Sequence, residues 1–362
     1  MAEADSSFQK RLIYDLDFAE LEMLIKGWQQ PSFRARQIWE GLYKNFWRQA
    51  EEFTTLPAGM RQQLAQTFRF SSLEPVQVLQ SSDRETTKTL FQLADGKAIE
   101  AVLMKYERRR TLCISTQAGC AMGCVFCATG QMGFKRNLTS GEIVEQVIYY
   151  AHLLQKEDEM VTNVVLMGMG EPFHNYEATM AAIDRLNHPL GMNLGARRFT
   201  ISTVGLVPMI RRFSAEQRQV NLAISLHAAD DELRTSMLPI NKKYPLKELM
   251  QACRDYVAQT HRRLTFEWAL IENVNDSVET ARKLAHLLEG LLCHVNVIPL
   301  NPTRKYAGKG STRERALVFK AELERHGIPC TIRIRRGIDI QAGCGQLAIL
   351  QPTNSPSNSL MI

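Results

Sequence analysis

Eight cysteines stand in 362 residues, and four of them, Cys113, Cys120, Cys124 and Cys127, fall within fifteen positions. The others, Cys253, Cys293, Cys330 and Cys344, are scattered. This is not the even spread of a disulfide framework in a small secreted domain. A tight cluster in a long chain reads instead as metal-binding or catalytic. The spacing Cys120-x3-Cys124-x2-Cys127 allows thiolates on one loop to converge on a single metal centre. Three chemistries compete. Structural zinc wants a closed set of four ligands, with Cys113 or Cys344 as the fourth. A second reading is a group of reduced thiols with no metal. The third is an iron–sulfur cube held by three cysteines. Such clusters more usually take four thiolates, so an open iron makes sense only where a substrate or cofactor binds. Cys253, Cys293 and Cys330 sit in apolar contexts and read as small buried hydrophobes.

The elements that must position this loop are legible as a rhythm that begins at Thr111. Apolar runs recur at TLCIST, TNVVLMG, RRFTIST, VNLAISLH, LTFEWALI and HVNVIPL. Amphipathic segments lie between them, at Glu142 to Gln155, Tyr176 to Leu186, Leu246 to Thr260 and Val278 to Leu288. Thr139-Ser140-Gly141-Glu142 resembles a capping box that opens the first. Six buried-looking strands alternating with helices predict a parallel α/β sheet or partial barrel, and CTIRIRR supplies a further strand. Ligands of parallel βα units collect at the carboxyl ends of the strands. There the sequence places the cysteine loop, Gly168-Met169-Gly170-Glu171-Pro172, Ser202-Thr203, Ser225-Leu226-His227 and Asn301-Pro302.

Ahead of this core, Asp15 to Phe68 looks helical, and FRARQIWEGLYKNFW puts Ile38, Leu42 and Phe46 on one face. From Val76 to Met104 the pattern changes to short alternating strands, with a hairpin turn at Ala94-Asp95-Gly96. We therefore expect an accessory domain at residues 1–105, a core at 106–337, and a C-terminal segment at 338–362 that carries Cys344 and ends in a disordered tail.

Composition narrows the class. A hydrophobic fraction of 45% and a charged fraction of 23% are globular averages, which excludes a mostly disordered chain or a collagen-like fibre. The longest uncharged stretch, Thr111 to Phe134, holds four Gly with scattered Gln, Thr and Ser, so it is no membrane span. The start, MAEADSSFQK, is acidic and lacks an apolar core of signal-peptide length, so a cytoplasmic protein is expected. A net charge of +6 is compatible with a nucleic-acid partner. Basic groups cluster at Arg108-Arg109-Arg110, Lys135-Arg136, Arg197-Arg198, Arg211-Arg212, Arg262-Arg263 and Arg333 to Arg336, several beside expected strand ends. Phosphate neutralisation would use such a footprint.

The cysteine loop resembles the signature of the radical S-adenosylmethionine (SAM) superfamily, Cys-x3-Cys-x-aromatic-Cys, with Phe126 in the aromatic place. The resemblance implies a partial (β/α)6 radical SAM barrel with a small N-terminal helical accessory domain. It implies a 4Fe-4S cluster on Cys120, Cys124 and Cys127 whose open iron binds the amino and carboxylate groups of SAM. Gly170 and Glu171 lie in a Gly-Met-Gly-Glu run that matches the family's motif for the methionine amino group. A narrower resemblance, to the RlmN family, rests on TLCISTQAGCAMGCVFCATGQMGFKRNLTSGEI, LMGMGEPFHN, RRFTISTVGLVP, LAISLHAADDELRTSMLPIN, HVNVIPLNP and RRGIDIQAGCGQL, and on FRARQIW near the N-terminus. Gly343 stands where the family usually has alanine. By this resemblance the chain methylates C2 of adenosine in 23S rRNA and in tRNA, consuming two SAM per turnover. Cys344 carries the methyl group, Glu100 removes the C2 proton, and Cys113 resolves a protein–RNA crosslink. Ser202, Ser225, Leu226, His227 and Asn301 match SAM contacts. An electron donor such as flavodoxin or ferredoxin, no membrane, and a monomeric state complete the expectation. The chemistry is coherent, because adenine C2 lies between two ring nitrogens and is too electron-poor to attack an electrophilic methyl group. A carbon radical can add to it. The alternative is methylation of C8, as in the related Cfr enzymes. A non-catalytic RNA-binding protein with a structural metal, or a radical SAM enzyme for a small metabolite, are the readings outside this family.

Overall fold

The structure, a computed structural model, describes residues 10–348. The expected disordered tail lies outside the described residues. The chain opens with β1 (Arg11–Leu12), then helices α1 (Phe18–Gly27), α2 (Phe33–Tyr43) and α3 (Ala58–Thr67). Asp17 caps α1 by a capping box with Glu20. Helix α2 ends at Tyr43, so Phe46, expected on its face, lies beyond it with a positive φ of 57°. Strand β2 (Phe68–Arg69) pairs in parallel with β1 and closes this helical part.

Strands β3 (Leu73–Gln80), β4 (Thr86–Leu93) and β5 (Ala98–Lys105) form an antiparallel meander, with Gly96 at positive φ in the expected hairpin turn. It does not stand apart. Strand β5 pairs antiparallel with β6 (Arg110–Cys113), the first strand of the core. The short strands β7 (Gln117–Gly119) and β8 (Phe134–Asn137) pair with each other and frame the cysteine loop, which includes α4 (Ala128–Met132). Helix α5 (Ser140–Gln155) follows, then β9 (Asn163–Leu166), α6 (Tyr176–Asn187), β10 (Phe199–Thr203), α7 (Val207–Ala215) and β11 (Asn221–Ser225). The chain continues through α8 (Asp231–Met237), α9 (Leu246–Thr260), β12 (Leu264–Leu270), α10 (Val278–Leu288), β13 (Cys293–Pro299), α11 (Arg313–Arg325) and β14 (Cys330–Ile332).

One ten-stranded sheet runs β14-β13-β12-β11-β10-β9-β6-β5-β4-β3. From β6 to β14 every pairing is parallel, with a helix in each of the six crossovers. This is the expected partial barrel of six βα units, plus the closing strand. A boundary at residue 105 cuts between hydrogen-bonded strands, so residues 73–105 are an extension of the core sheet. The sequence suggests two modules there because antiparallel alternation and parallel apolar runs look different. Hydrogen bonding across β5 and β6 joins them. Cys253, Cys293 and Cys330 lie in the core, as expected.

Helix α5 ties these parts together. Its capping box forms as expected, with Thr139 Oγ1 accepting from Glu142 N–H at 3.2 Å and the Glu142 carboxylate accepting from Thr139 N–H at 2.9 Å. On its buried side the Glu145 carboxylate accepts from Ser72 N–H (2.8 Å), the Ser72 hydroxyl (2.7 Å), Leu73 N–H (3.3 Å) and the Ser71 hydroxyl. That clamp fixes where the chain leaves the helical part and enters β3. Replacing Glu145 with Ala strands several buried donors, each worth about 1–3 kcal/mol when left unpaired. Glu145→Ala should therefore lower unfolding stability by about 3 kcal/mol or more in urea titrations, with Glu145→Gln milder.

Candidate functional site

A cavity opens at the carboxyl ends of the core strands, with about 870 Å³ of space free of protein atoms, its open mouth included. Its walls bring together Cys124, Phe126 and Cys127 from the loop and Gly170 and Glu171 after β9. Ser202, Ser225, His227, Glu267 and Asn301 come from successive strands, and Cys344 from the C-terminal segment. Cys120 is buried on the same loop, outside this wall. Leu226 is also off the wall: its side chain is fully buried and its carbonyl accepts from Arg234 Nε. Leu226 follows directly on β11, and strand alternation turns it to the face opposite Ser225.

The segment after β9 is held by backbone contact with the segment after β6. Thr116 and Gln117 N–H both donate to the Met169 carbonyl, and Glu171 N–H donates to Gln117 Oε1 at 2.8 Å. At Gly170 the φ is 103°, and a Cβ would sit 2.5 Å from the Gln117 side chain, so only glycine fits. The Glu171 carboxylate accepts from Val204 N–H (2.9 Å) and Phe173 N–H (3.0 Å). Burial pushes its pKa up to about 7. A cation placed in the cavity would draw it back to the ionised form.

His227 adopts a left-handed backbone with φ 61°, and its Nδ1 accepts from Ala269 N–H at 2.9 Å. Asn275 braces the turn by donating to the His227 and Ala269 carbonyls at 2.9 and 2.7 Å. Burial pushes the His227 pKa down to about 3. The ring is therefore neutral, with its proton on Nε2, a fixed donor. Ser202 and Ser225 hydroxyls lie 3.2 Å apart. Asn301 donates through Nδ2 to the Cys344 carbonyl at 3.0 Å, and its buried Oδ1 has no partner among the described residues. A buried acceptor without a donor marks a place for a ligand N–H or O–H. Gly343 permits this contact, because a Cβ there would lie 2.6 Å from Asn301 Nδ2.

No three His, Cys, Asp or Glu side chains among the described residues converge on the point a single metal ion needs. Three thiols stand on one framed loop, Cys120 and Cys124 buried and Cys127 half-buried, a donor set that fits an iron–sulfur cluster. Two of them face a cavity lined by an acid, a neutral histidine and an unpartnered amide oxygen.

A second cavity shares Met167, Ile298, Asn301 and Cys344 with the first and adds Cys113, Tyr106, Arg333 and Arg335. Cys344 thus stands between the two, and Cys113, at the end of β6, faces it from the second. Both thiols are free. Arg109 and Arg336 sit over the Tyr106 ring at 5.1 and 4.4 Å. Several of the other basic groups are structural: Arg136 pairs with Glu142 and Asp95, Arg110 with Glu159, and Arg212 with Glu177.

Glu100 differs from a solvated carboxylate on an outlying strand. It is buried on β5, forms an ion pair with Lys88 Nζ at 2.9 Å, and accepts from Ala348 N–H at 2.8 Å. It lines neither cavity. Burial raises its pKa against the opposing pull of Lys88. Reading the sequence passed over Glu267, Asn275 and Arg234. A lone acid within the apolar run LTFEWAL was a signal for the first; the other two carried none.

The radical SAM superfamily model matches residues 114–285. The chain is 48% identical over 353 residues to the protein named probable dual-specificity RNA methyltransferase RlmN from Chloroflexus aurantiacus, covering 94% of each chain. It is also 48% identical to dual-specificity RNA methyltransferase RlmN 1 from Myxococcus xanthus, covering 92% of this chain and 93% of that one. The solved structure of a radical SAM methyltransferase from Sphaerobacter thermophilus superposes with a TM-score of 0.91 at 51% identity. The match covers 93% of this chain and 99% of that chain.

The geometry at His227 is testable without any ligand. Its ring resonances should stay flat from pH 5 to 8 in an NMR titration, because its protonation is pushed far below that range. A step near pH 6.5 would show that Nδ1 is not held as described.

Proposed function

This chain belongs to the RlmN family of the radical SAM superfamily, and from that membership we propose how its own residues perform the reaction. It is a radical SAM methyltransferase acting on RNA, with SAM and a 4Fe-4S cluster as cofactors, and it adds a methyl group to C2 of adenosine in ribosomal and transfer RNA. No helix among the described residues is long and apolar enough to cross a membrane.

Cys120, Cys124 and Cys127 would hold the cluster, which when bound would supply the electron that splits the SAM sulfonium to a 5′-deoxyadenosyl radical. Glu171 receives the methionine amino group. His227 Nε2–H, the Ser202 and Ser225 hydroxyls and the open Oδ1 of Asn301 orient the nucleoside end. Leu226 contributes only backbone. Two SAM molecules are consumed: Cys344 accepts a methyl group from one, and the radical from the other removes a hydrogen from that S-methyl. The resulting methylene radical adds to C2. The adduct would return one electron to the oxidised cluster, and a base takes the C2 proton. The Cys113 thiolate then attacks the Cys344 sulfur, the methylated base leaves and takes up a proton, and a disulfide remains for reduction.

The observation that carries this reading is the place of Cys344 on the shared wall of two cavities. One suits SAM. The other holds Cys113, is flanked by Tyr106 and arginines, and suits a base splayed out of its stack. Arg333, Arg335 and Arg336 line it, and Arg109 stacks on Tyr106 at its edge, which suits phosphate contact. For Glu100 to act as the base, its bond from Ala348 must open, and its raised pKa favours proton capture. Residues 106–337 carry the SAM chemistry and 338–362 deliver Cys344. Within 1–105 the helical part is assigned to RNA docking. A monomer in the cytoplasm, reduced by a flavodoxin or ferredoxin, fits this scheme.

The test is the mass of the Cys344 peptide after anaerobic reconstitution with iron and sulfide, reduction, and incubation with SAM but no RNA. A methylated Cys344 is expected. An unmodified Cys344 in a protein with a full cluster overturns the scheme. Burial pushes the Cys113 thiol up to about 12. Its thiolate fraction, and with it crosslink resolution, should therefore rise about tenfold per pH unit between 7 and 9. Cys113→Ala should leave the RNA crosslinked at every pH.

A further inference from the structure

One buried cation holds the strand ends beneath the first cavity. Arg234, on α8, is fully buried. Its Nη2 donates to the Val204 carbonyl at 2.7 Å and the Ser225 carbonyl at 3.3 Å, and its Nε to the Leu226 carbonyl at 3.2 Å. Its Nη1 donates to Asn241 Oδ1 at 2.8 Å. All four partners are neutral. Asp231 meets it only through Asn241, whose Nδ2 donates to Asp231 Oδ1 at 2.8 Å.

A buried guanidinium without an anion in contact is strongly disfavoured, so the interior around it favours negative charge. The neighbouring structure identifies where that charge comes from. Met237 and Leu238, at the end of the helix that carries Arg234, pack with Cys124 and Phe126. Val125 N–H donates to the Met237 carbonyl at 3.1 Å, so the cysteine loop rests directly on this helix end. The helix that carries this cation therefore ends against the loop whose cysteines become thiolates on binding iron.

We propose that Arg234 is the buried counter-charge of the cluster: it favours the reduced, more negative state, while its planar fork fixes the carbonyl ends of β10 and β11 where SAM binds. The inference rests on the reading that Cys120, Cys124 and Cys127 hold the cluster. Arg234 touches neither substrate nor reacting atoms in this role and is a positioning residue. A fixed positive charge nearby stabilises the added electron by Coulomb attraction. The fork separates two effects, because lysine keeps the charge but cannot span three carbonyls.

The experiment reconstitutes the full-length protein and its Arg234→Met, Arg234→Lys and Asp231→Asn variants anaerobically. Iron and sulfide content is measured first, then the midpoint potential by redox titration followed by electron paramagnetic resonance, then SAM affinity. Arg234→Met should lower the reduced-to-oxidised ratio at fixed potential about tenfold, which is 59 mV for one electron. Arg234→Lys should keep the potential and weaken SAM binding. Asp231→Asn, at an exposed site, removes the remote opposing charge and should shift the potential upward. If Arg234→Met fails to fold, Arg234→Gln, neutral but able to donate to the carbonyls, takes its place in the same titration. An unchanged potential in the folded neutral variant, with full iron, would overturn the proposal and leave Arg234 a strut. Absence of a cluster in the unsubstituted protein would instead overturn the reading beneath it.

Discussion

The site depends on one close approach of backbone to backbone. After β6 and β9 the chain segments 114–117 and 168–171 run against each other. Gly168 N–H donates to the Ile114 carbonyl, Thr116 and Gln117 to that of Met169, and Gln117 Oε1 receives Glu171 N–H. The first segment leads into β7 and hence the cysteine loop, while the second ends in Glu171. The acid that would meet SAM and the thiols that would hold iron are thus registered by the same few hydrogen bonds. Gly170 is the local requirement, since any Cβ there would strike Gln117. In parallel βα units adjacent strand ends splay as the sheet twists, and this track of contacts keeps the first two together.

The C-terminal segment extends that dependence to the whole sheet. Cys344 is held through its carbonyl by Asn301, and the Gly345 carbonyl accepts from Ala128 N–H in the loop helix. The Leu347 carbonyl accepts from the Thr129 hydroxyl, Ala348 N–H donates to Glu100, and Lys88 donates to the Gln341 carbonyl. Three separate parts of the chain therefore set one thiol: a barrel strand, the cysteine loop and the antiparallel extension. This explains why β3–β5 belong to the core sheet. Their Lys88–Glu100 pair is an anchor under the segment that carries Cys344.

Electrostatically, the first cavity is built from groups whose charge is fixed by burial rather than by solvent. His227 is kept neutral, Glu171 is poised to ionise when a cation arrives, and Glu267 accepts from Asn296 at 2.9 Å while burial raises its pKa. Beneath them lies Arg234 with no acid in contact. Such a site is organised before any ligand enters, which spares the reorganisation that water would impose.

The sequence by itself determined the βα rhythm, the strand-end placement of the polar residues, the capping box at Thr139 and the cysteine loop. These are local: apolar period, cap chemistry and ligand spacing are written in neighbouring residues. It also marked Cys253, Cys293 and Cys330 as core, because their surroundings are apolar. Tertiary structure alone decided what depends on residues far apart in the chain. It joined β3–β5 to β6, so that a composition shift near residue 105 is no break in the sheet. It turned Leu226 into the core, buried Glu100 against Lys88, and set Cys344 between two cavities. It also buried Arg234 among neutral partners, on a helix whose end packs against the cysteine loop. Burial and charge pairing are sums over contacts distant in sequence, and no periodicity or motif encodes them.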